Sequence, residues 1–231
     1  MNLLVAATVV ALLGQPPASG TRELTFRAPD GSTMLYAISI PKGYDPERPV
    51  PLVLVLHSGG ERIRYYGGAF MRLLVEPALN GLRPIMIAPD CPTNSWTDPA
   101  AEQSVMALVQ DTLDRYAIDR RRILVTGFSL GGRGTWFMAS RHADLFTAAI
   151  PMAASTAEPI DRLGVIPTYI IHSRDDEVSP FAPAERTAKQ LTAIGRTVRF
   201  DALYNIGHFE TYRYVDSLRR AGRWIAEQWG K

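Results

Sequence analysis

The chain has 231 residues, 46% of them hydrophobic and 21% charged, with a net charge of +2, a composition that suits one globular domain with a large buried core. Its 25 basic residues are scattered, and the densest cluster, Asp119-Arg120-Arg121-Arg122, lacks a face of interleaved aromatics, which argues against a nucleic-acid partner. The single cysteine, Cys91, excludes an intramolecular disulfide, so the core must hold without covalent staples.

The first twenty residues stand apart. Leu3 to Leu13 is an apolar run without charge. It is too short for a bilayer span, which takes about 20 residues. "QPPASG" follows, with the small residues Ala18 and Gly20 before Thr21. This reads as an export signal over residues 1–20, with a secreted or periplasmic protein from residue 21 onward and no stable membrane span. The usual basic start is missing, since no Lys or Arg precedes Arg22; a tethered or frayed N-terminus is the alternative.

After residue 20 there is no repeat, low-complexity stretch or linker, so residues 21–231 read as one domain. "RELTFRA" and "TMLYAISI" flank the turn tripeptide Pro29-Asp30-Gly31 and predict a hairpin. "PLVLVLH" (51–57) is continuously apolar, as a strand buried on both faces should be. "PIMIAP" (84–89), "RILVTG" (122–127), "AAIPM" (148–152), "PTYIIH" (167–172) and "VRFDAL" (198–203) share that character, which makes eight strands. Between them, Val105, Leu108, Val109, Thr112, Leu113 and Tyr116 fall on one helical face. Leu130 to Arg141 and Pro183 to Ile194 are further helices, and Tyr214, Leu218, Ala221, Ile225 and Trp229 predict a closing amphipathic one. Strand–helix alternation implies an α/β fold with a mostly parallel sheet and helices on both faces. Sites in such sheets form beyond the carboxyl ends of the strands.

One stretch at such an end is "TGFSLGGRGTWF" (126–137). Ser129 lies between the strand "ILVTG" and a helix, with Gly127, Gly131 and Gly132 as close neighbours. A serine on so sharp a turn has its hydroxyl pushed above the sheet, and the crowded backbone needs glycines around it. A serine hydroxyl is a poor nucleophile until a base takes its proton. Of four histidines, His142 follows the helix behind the serine, while His57 and His172 end strands. His208, in "NIGHFE" after the last strand, alone leaves an intervening strand end for an acid, in the order serine, acid, histidine. That acid should come from "SRDDEVSP"; spacing favours Asp176 over Asp175. Its task is to accept the second imidazole N–H and stabilise the imidazolium.

The oxyanion of a tetrahedral intermediate needs two backbone N–H donors. Leu130 should supply one, and Gly59, with Gly60 as the fallback, the other, from the loop "HSGGER". His57 either braces this loop or is an ordinary strand-end histidine. Trp96, Tyr65, Tyr66 and Phe209 lie in loops near the strand ends; each is a candidate to line a substrate pocket or simply to pack.

"HSGG", "GFSLGG", "HSRDDEVSP" and "GHFE", in this order, resemble the α/β-hydrolase superfamily over essentially all of residues 21–231. Within it, "RRILVTGFSLGGRGTWFMASRHADLFTAAIPMAA" resembles the branch of predicted secreted peptidases, phospholipase/carboxylesterase-type enzymes, polyhydroxybutyrate depolymerases and feruloyl or acetylxylan esterases. That branch commonly has glycine where this chain has Ser58. The related dienelactone hydrolases use a cysteine nucleophile, and Ser129 at that position sets their activity aside. The resemblance implies a serine hydrolase acting on a small-molecule or polymeric carboxylic ester through an acyl-enzyme. A peptidase or acyltransferase on the same fold is the alternative, and a non-catalytic binding protein a more distant one. No metal and no cofactor are implied, for the histidines lack ligand spacing and the glycine-rich stretch has no phosphate-binding lysine. Only Ser155 to Val165 separates the sixth and seventh strands, so little or no lid domain is expected. The assembly state is left open.

Overall fold

The computed structural model describes residues 18–61 and 63–231; the expected leader lies outside them except for its last three residues. Among the described residues eight strands form one sheet in the order β1-β2-β4-β3-β5-β6-β7-β8. β1 (Gly20–Arg27) and β2 (Thr33–Ile40) make the predicted antiparallel hairpin, and β2 meets β4 (Ile85–Pro89) antiparallel. From β4 onward every pairing is parallel: β3 (Val50–Leu56), β5 (Ile118–Phe128), β6 (Ala148–Met152), β7 (Thr168–Ser173) and β8 (Val198–Leu203). The continuous apolar runs are explained by position, since β3, β4, β6 and β7 are covered on both faces and all but one of their residues are buried.

One face of the sheet packs Val53, Val55, Leu124 and Ile150 against Leu74, Leu79, Leu218 and Ile225. The other packs Leu52, Leu54, Ile87 and Val125 against Val105, Leu108, Val109 and Met138. The helices there are α3 (Pro99–Arg115) and α4 (Leu130–Arg141), while α6 (Val215–Trp229) covers the first face, as the periodicity predicts. Tyr116 falls just outside α3 as its cap. α5 (Phe181–Ala193) begins two residues earlier than the sequence suggests.

A helical stretch between β3 and β4 is absent from the sequence reading. It runs through α1 (Tyr66–Phe70), a π-helical turn (Met71–Val75) and α2 (Glu76–Leu79). Gly67 and Gly68 read as breakers, yet they are what lets this segment lie against the sheet. A Cβ on Gly67 would meet the carbonyls of Ala88 and Pro89, and one on Gly68 the side chain of Ala37. Tyr66 is therefore the first residue of a helix rather than a loop residue, and Asp90 caps that helix. Its carboxylate accepts N–H bonds from Tyr65 at 2.7 Å and Gly67 at 2.8 Å. The connection between β6 and β7 holds one short 3-10 turn (Ile160–Arg162) and no inserted domain.

Candidate active site

The parallel strands bring three segments together above their carboxyl ends. Ser129 follows β5 directly and precedes α4 with φ 54° and ψ −112°, a region that L residues other than glycine rarely occupy. The turn is tight because β5 sits directly beside β3: a Cβ on Gly127 or Gly131 would run into the carbonyl of Leu56. The N–H of Ser129 donates to Met152 O at 3.0 Å, which ties the turn to β6. The side chain is thus aimed above the sheet by backbone geometry alone.

His208, on the loop after β8, reaches it. Its Nε2 lies 2.9 Å from Ser129 Oγ. Its Nδ1 lies 2.7 Å from Asp176 Oδ2 and 2.9 Å from Oδ1. The carboxylate can only accept, so Nδ1 carries the proton and Nε2 faces the serine hydroxyl as an acceptor. Phe128 lies under the imidazole, with ring centroids 5.1 Å apart.

Asp176 is buried on the loop after β7. Besides His208 it accepts the N–H of Ser179 at 2.7 Å and of Val178 at 3.0 Å. Burial pushes its carboxyl up, but the hydrogen bonds from His208, Ser179 and Val178 outweigh burial and hold it below the usual carboxylate range. Asp175 faces elsewhere and accepts the N–H of Asn205 at 2.6 Å. Two carboxylates that the sequence reading passed over also fix the histidine loop. Glu177 accepts the His208 N–H at 3.0 Å, and Glu210 accepts the Gly207 N–H at 2.8 Å. Their signal was local: each stands within three residues of a singled-out residue.

The loop after β3 approaches from the opposite side. Gly59 lies against Leu130, with an added Cβ 3.8 Å from the Leu130 Cβ. His57 follows β3 rather than ending it, and both its ring nitrogens are engaged. The Cys91 N–H donates to Nε2 at 3.0 Å, so Nδ1 carries the proton and donates to Ser58 O at 2.6 Å. Across a trans peptide the C=O and the following N–H point in opposite directions. Holding the Ser58 carbonyl toward His57 therefore turns the Gly59 N–H away from that ring. Ser58 Oγ also bonds the Tyr66 hydroxyl at 2.9 Å.

A cleft of about 300 Å³ opens beside this loop, with Leu35, Ile63, Tyr66, Cys91 and Leu130 in its walls. Of the four aromatic candidates, Tyr66 alone lines it. Trp96 is a correction: it is fully buried and donates from Nε1 to His57 O at 3.0 Å, because a large ring in a loop that crosses the sheet end is pulled into the core. Tyr65 caps α1 in a left-handed conformation and stays out of the cleft. Phe209 is 79% exposed, its ring edge against His208 at 5.5 Å, so it stands on the rim. His142 pairs with Glu102 at 2.8 Å, as its place at the far end of α4 predicts. Among the described residues no cluster of three or more His, Cys, Asp or Glu side chains could hold a metal ion, and no helix is long and apolar enough to cross a membrane.

Known proteins share this fold. A crystal structure of a thermostable esterase superposes with a TM-score of 0.77 at 28% identity, over 90% of this chain and 62% of that one. The substrate-bound fluorophosphonate-binding serine hydrolase F of Staphylococcus aureus gives 0.73 at 16% identity, over 90% and 99%, a likeness of fold. Feruloyl esterase C of Emericella nidulans is 27% identical over 151 residues, 63% of this chain; the matched part spans 56% of that longer protein. The profile of the dienelactone hydrolase family matches residues 93–215, more than half of the chain and the part that holds Ser129, Asp176 and His208. With its sheet order, its strained strand-to-helix turn and that match in agreement, the chain belongs to the dienelactone hydrolase family.

Proposed function

We propose that the protein is a serine hydrolase of carboxylic esters, with Ser129 as nucleophile, His208 as general base and acid, and Asp176 as the group that orients and stabilises the imidazolium. The observation that carries the reading is the unbroken hydrogen-bond path from Asp176 Oδ2 through both nitrogens of His208 to Ser129 Oγ. His208 Nε2 takes the serine proton as Oγ attacks the ester carbonyl carbon. The N–H groups of Leu130 and Gly59 receive the oxyanion. When the intermediate collapses, the carbon–oxygen bond to the alcohol breaks and His208 gives its proton to the leaving oxygen. Water, deprotonated by the same Nε2, then attacks the acyl-enzyme; as the bond from the acyl carbon to Ser129 Oγ breaks, His208 returns the proton to Oγ and the acid is released. The depressed Asp176 pKa keeps the carboxylate charged throughout, as stabilising an imidazolium requires.

The cleft beside Leu130 has mixed walls, with Leu35, Ile63 and Leu130 to receive an acyl group and Glu61, Arg64, Asp90 and Asn94 as polar neighbours, and its size is at the small end of ligand pockets. Likeness to a feruloyl esterase makes aryl-acyl esters the first to test. The experiment is a panel of p-nitrophenyl, feruloyl and acetylated-sugar esters beside short peptide amides, with a fluorophosphonate label. Wild type should cleave esters faster than amides and label on Ser129. Ser129→Ala should lose the label and at least about a thousandfold in kcat. Ester hydrolysis that survives Ser129→Ala would refute the assignment.

A further inference from the structure

His172, the residue before the end of β7, is fully buried and takes no part in the proton path above. Its Nε2 lies 2.9 Å from Ser179 O. A carbonyl only accepts, so Nε2 carries the hydrogen and Nδ1 is bare; Nδ1 has no hydrogen-bond partner among the described residues. The same Nε2 lies 3.8 Å from Asp176 Oδ2, the oxygen that His208 holds at 2.7 Å. The ring of Phe181 closes the site from α5, edge-on at 5.9 Å. Ser179 is thus gripped on both sides. Its carbonyl is held by His172, and its N–H is held by Asp176 Oδ1 at 2.7 Å.

We propose that His172 is a positioning residue for Asp176: its Nε2–H, seated on the Ser179 carbonyl, fixes the 176–179 turn and so aims the carboxylate at His208. The proposal rests on the hydrolytic reading of Ser129, His208 and Asp176. Two features make His172 more than packing. The turn has no other side-chain donor on the Ser179 carbonyl among the described residues, so without His172 a buried acceptor is orphaned and the turn is free to move. The ring also has to stay neutral. An imidazolium 3.8 Å from Oδ2 would compete with His208 for the same negative charge. Burial is the largest influence on His172 and holds its pKa below the ordinary histidine range.

Two variants and one measurement on the wild type test this. His172→Leu removes the donor at similar volume; it should lower kcat about tenfold or more with little change in KM, the scale of misaiming a reacting group. It should also shift the downfield proton resonance of His208 Nδ1–H. His172→Gln places an N–H near the Nε2 position and should recover most of both. In wild type, nitrogen NMR should show His172 as the neutral Nε2–H tautomer across the pH range of activity. A folded His172→Leu with wild-type kcat and an unmoved resonance overturns the proposal. So does a Nδ1–H tautomer or an imidazolium at His172 in the active enzyme, a readout that holds even where the leucine variant does not fold. The resonance and the tautomer are measured without substrate, so failure of the ester-hydrolase reading, seen as activity surviving Ser129→Ala, is a separate result.

Discussion

β3 and β7 each run into a loop at the candidate site and each have a buried histidine at that junction, His57 just past β3 and His172 within β7, but the two imidazoles hold opposite tautomers. His57 donates from Nδ1 to its own neighbour's carbonyl and accepts a backbone N–H at Nε2. His172 donates from Nε2 to a carbonyl seven residues on and leaves Nδ1 bare. The first loop is exposed at Gly59 and Gly60 and borders the cleft, whereas Asp176 in the second is closed off from solvent. On the proposed mechanism, the difference follows from what each loop must present. An oxyanion needs a backbone N–H that faces the substrate, and glycine keeps side chains out of the way. A carboxylate that steadies an imidazolium needs satisfied lone pairs away from water, and Asp176 is buried and hydrogen-bonded although its neighbours Asp175, Glu177 and Val178 are exposed.

Between these two loops, the larger expected effect tests whether the β3 loop is held by its histidine as firmly as the acid turn is held by His172. His57→Leu should free the Ser58–Gly59 peptide to rotate and cost about a hundredfold in kcat, the worth of one oxyanion donor, with KM much less affected. A variant that melts earlier but turns over normally would make His57 a packing residue and end the parallel. A smaller effect belongs to the second tie on that loop. Tyr66→Phe deletes the 2.9 Å bond to Ser58 Oγ and should lower kcat/KM about fivefold, or about 1 kcal/mol. An unchanged kcat/KM would leave His57 as the sole brace.

The smallest effect is a pH slope that belongs to the buried pair His172 and Asp176. His172 is flanked by Asp176 and, beyond it, His208, with the neutral ring of Phe181 on the α5 side. Its folded-state pKa is depressed, so the folded protein resists a proton that the unfolded chain accepts. The resulting stability is full above the unfolded value of about 6.5 and is lost as pH falls toward the folded value. Asp176 is depressed too, so its contribution is full above about 3.9 and is lost only as pH falls through its lower folded value. Melting temperatures measured from pH 7.5 to 5 should therefore fall more steeply for wild type than for His172→Gln. Parallel curves would show that His172 does not stay neutral in the fold.

Much of this was legible in the residues themselves. β3, β4, β6 and β7 appear as continuous apolar runs because they have no polar face to show, whereas the edge strands β1 and β8 are only partly buried. Ser129, Asp176 and His208 are traceable because each lies on the segment that follows a strand. What escaped depends on neighbours distant in sequence. Gly67 and Gly68 look like helix breakers until β2 and the end of β4 are seen pressing against them. Trp96 looks like a pocket aromatic until its indole is found on the His57 carbonyl. The tautomers of His57 and His172 are set by partners 34 and seven residues away, which no local pattern records.

The short link between β6 and β7 carries a consequence of its own. It holds one short 3-10 turn and no inserted domain among the described residues. A hydrolase built this way has no cover inserted at the β6–β7 connection to swing aside at an oil–water boundary. Its rate should then rise smoothly with the concentration of dissolved ester rather than jump once droplets form, and a chain-like substrate would need only one strand lying across the open rim.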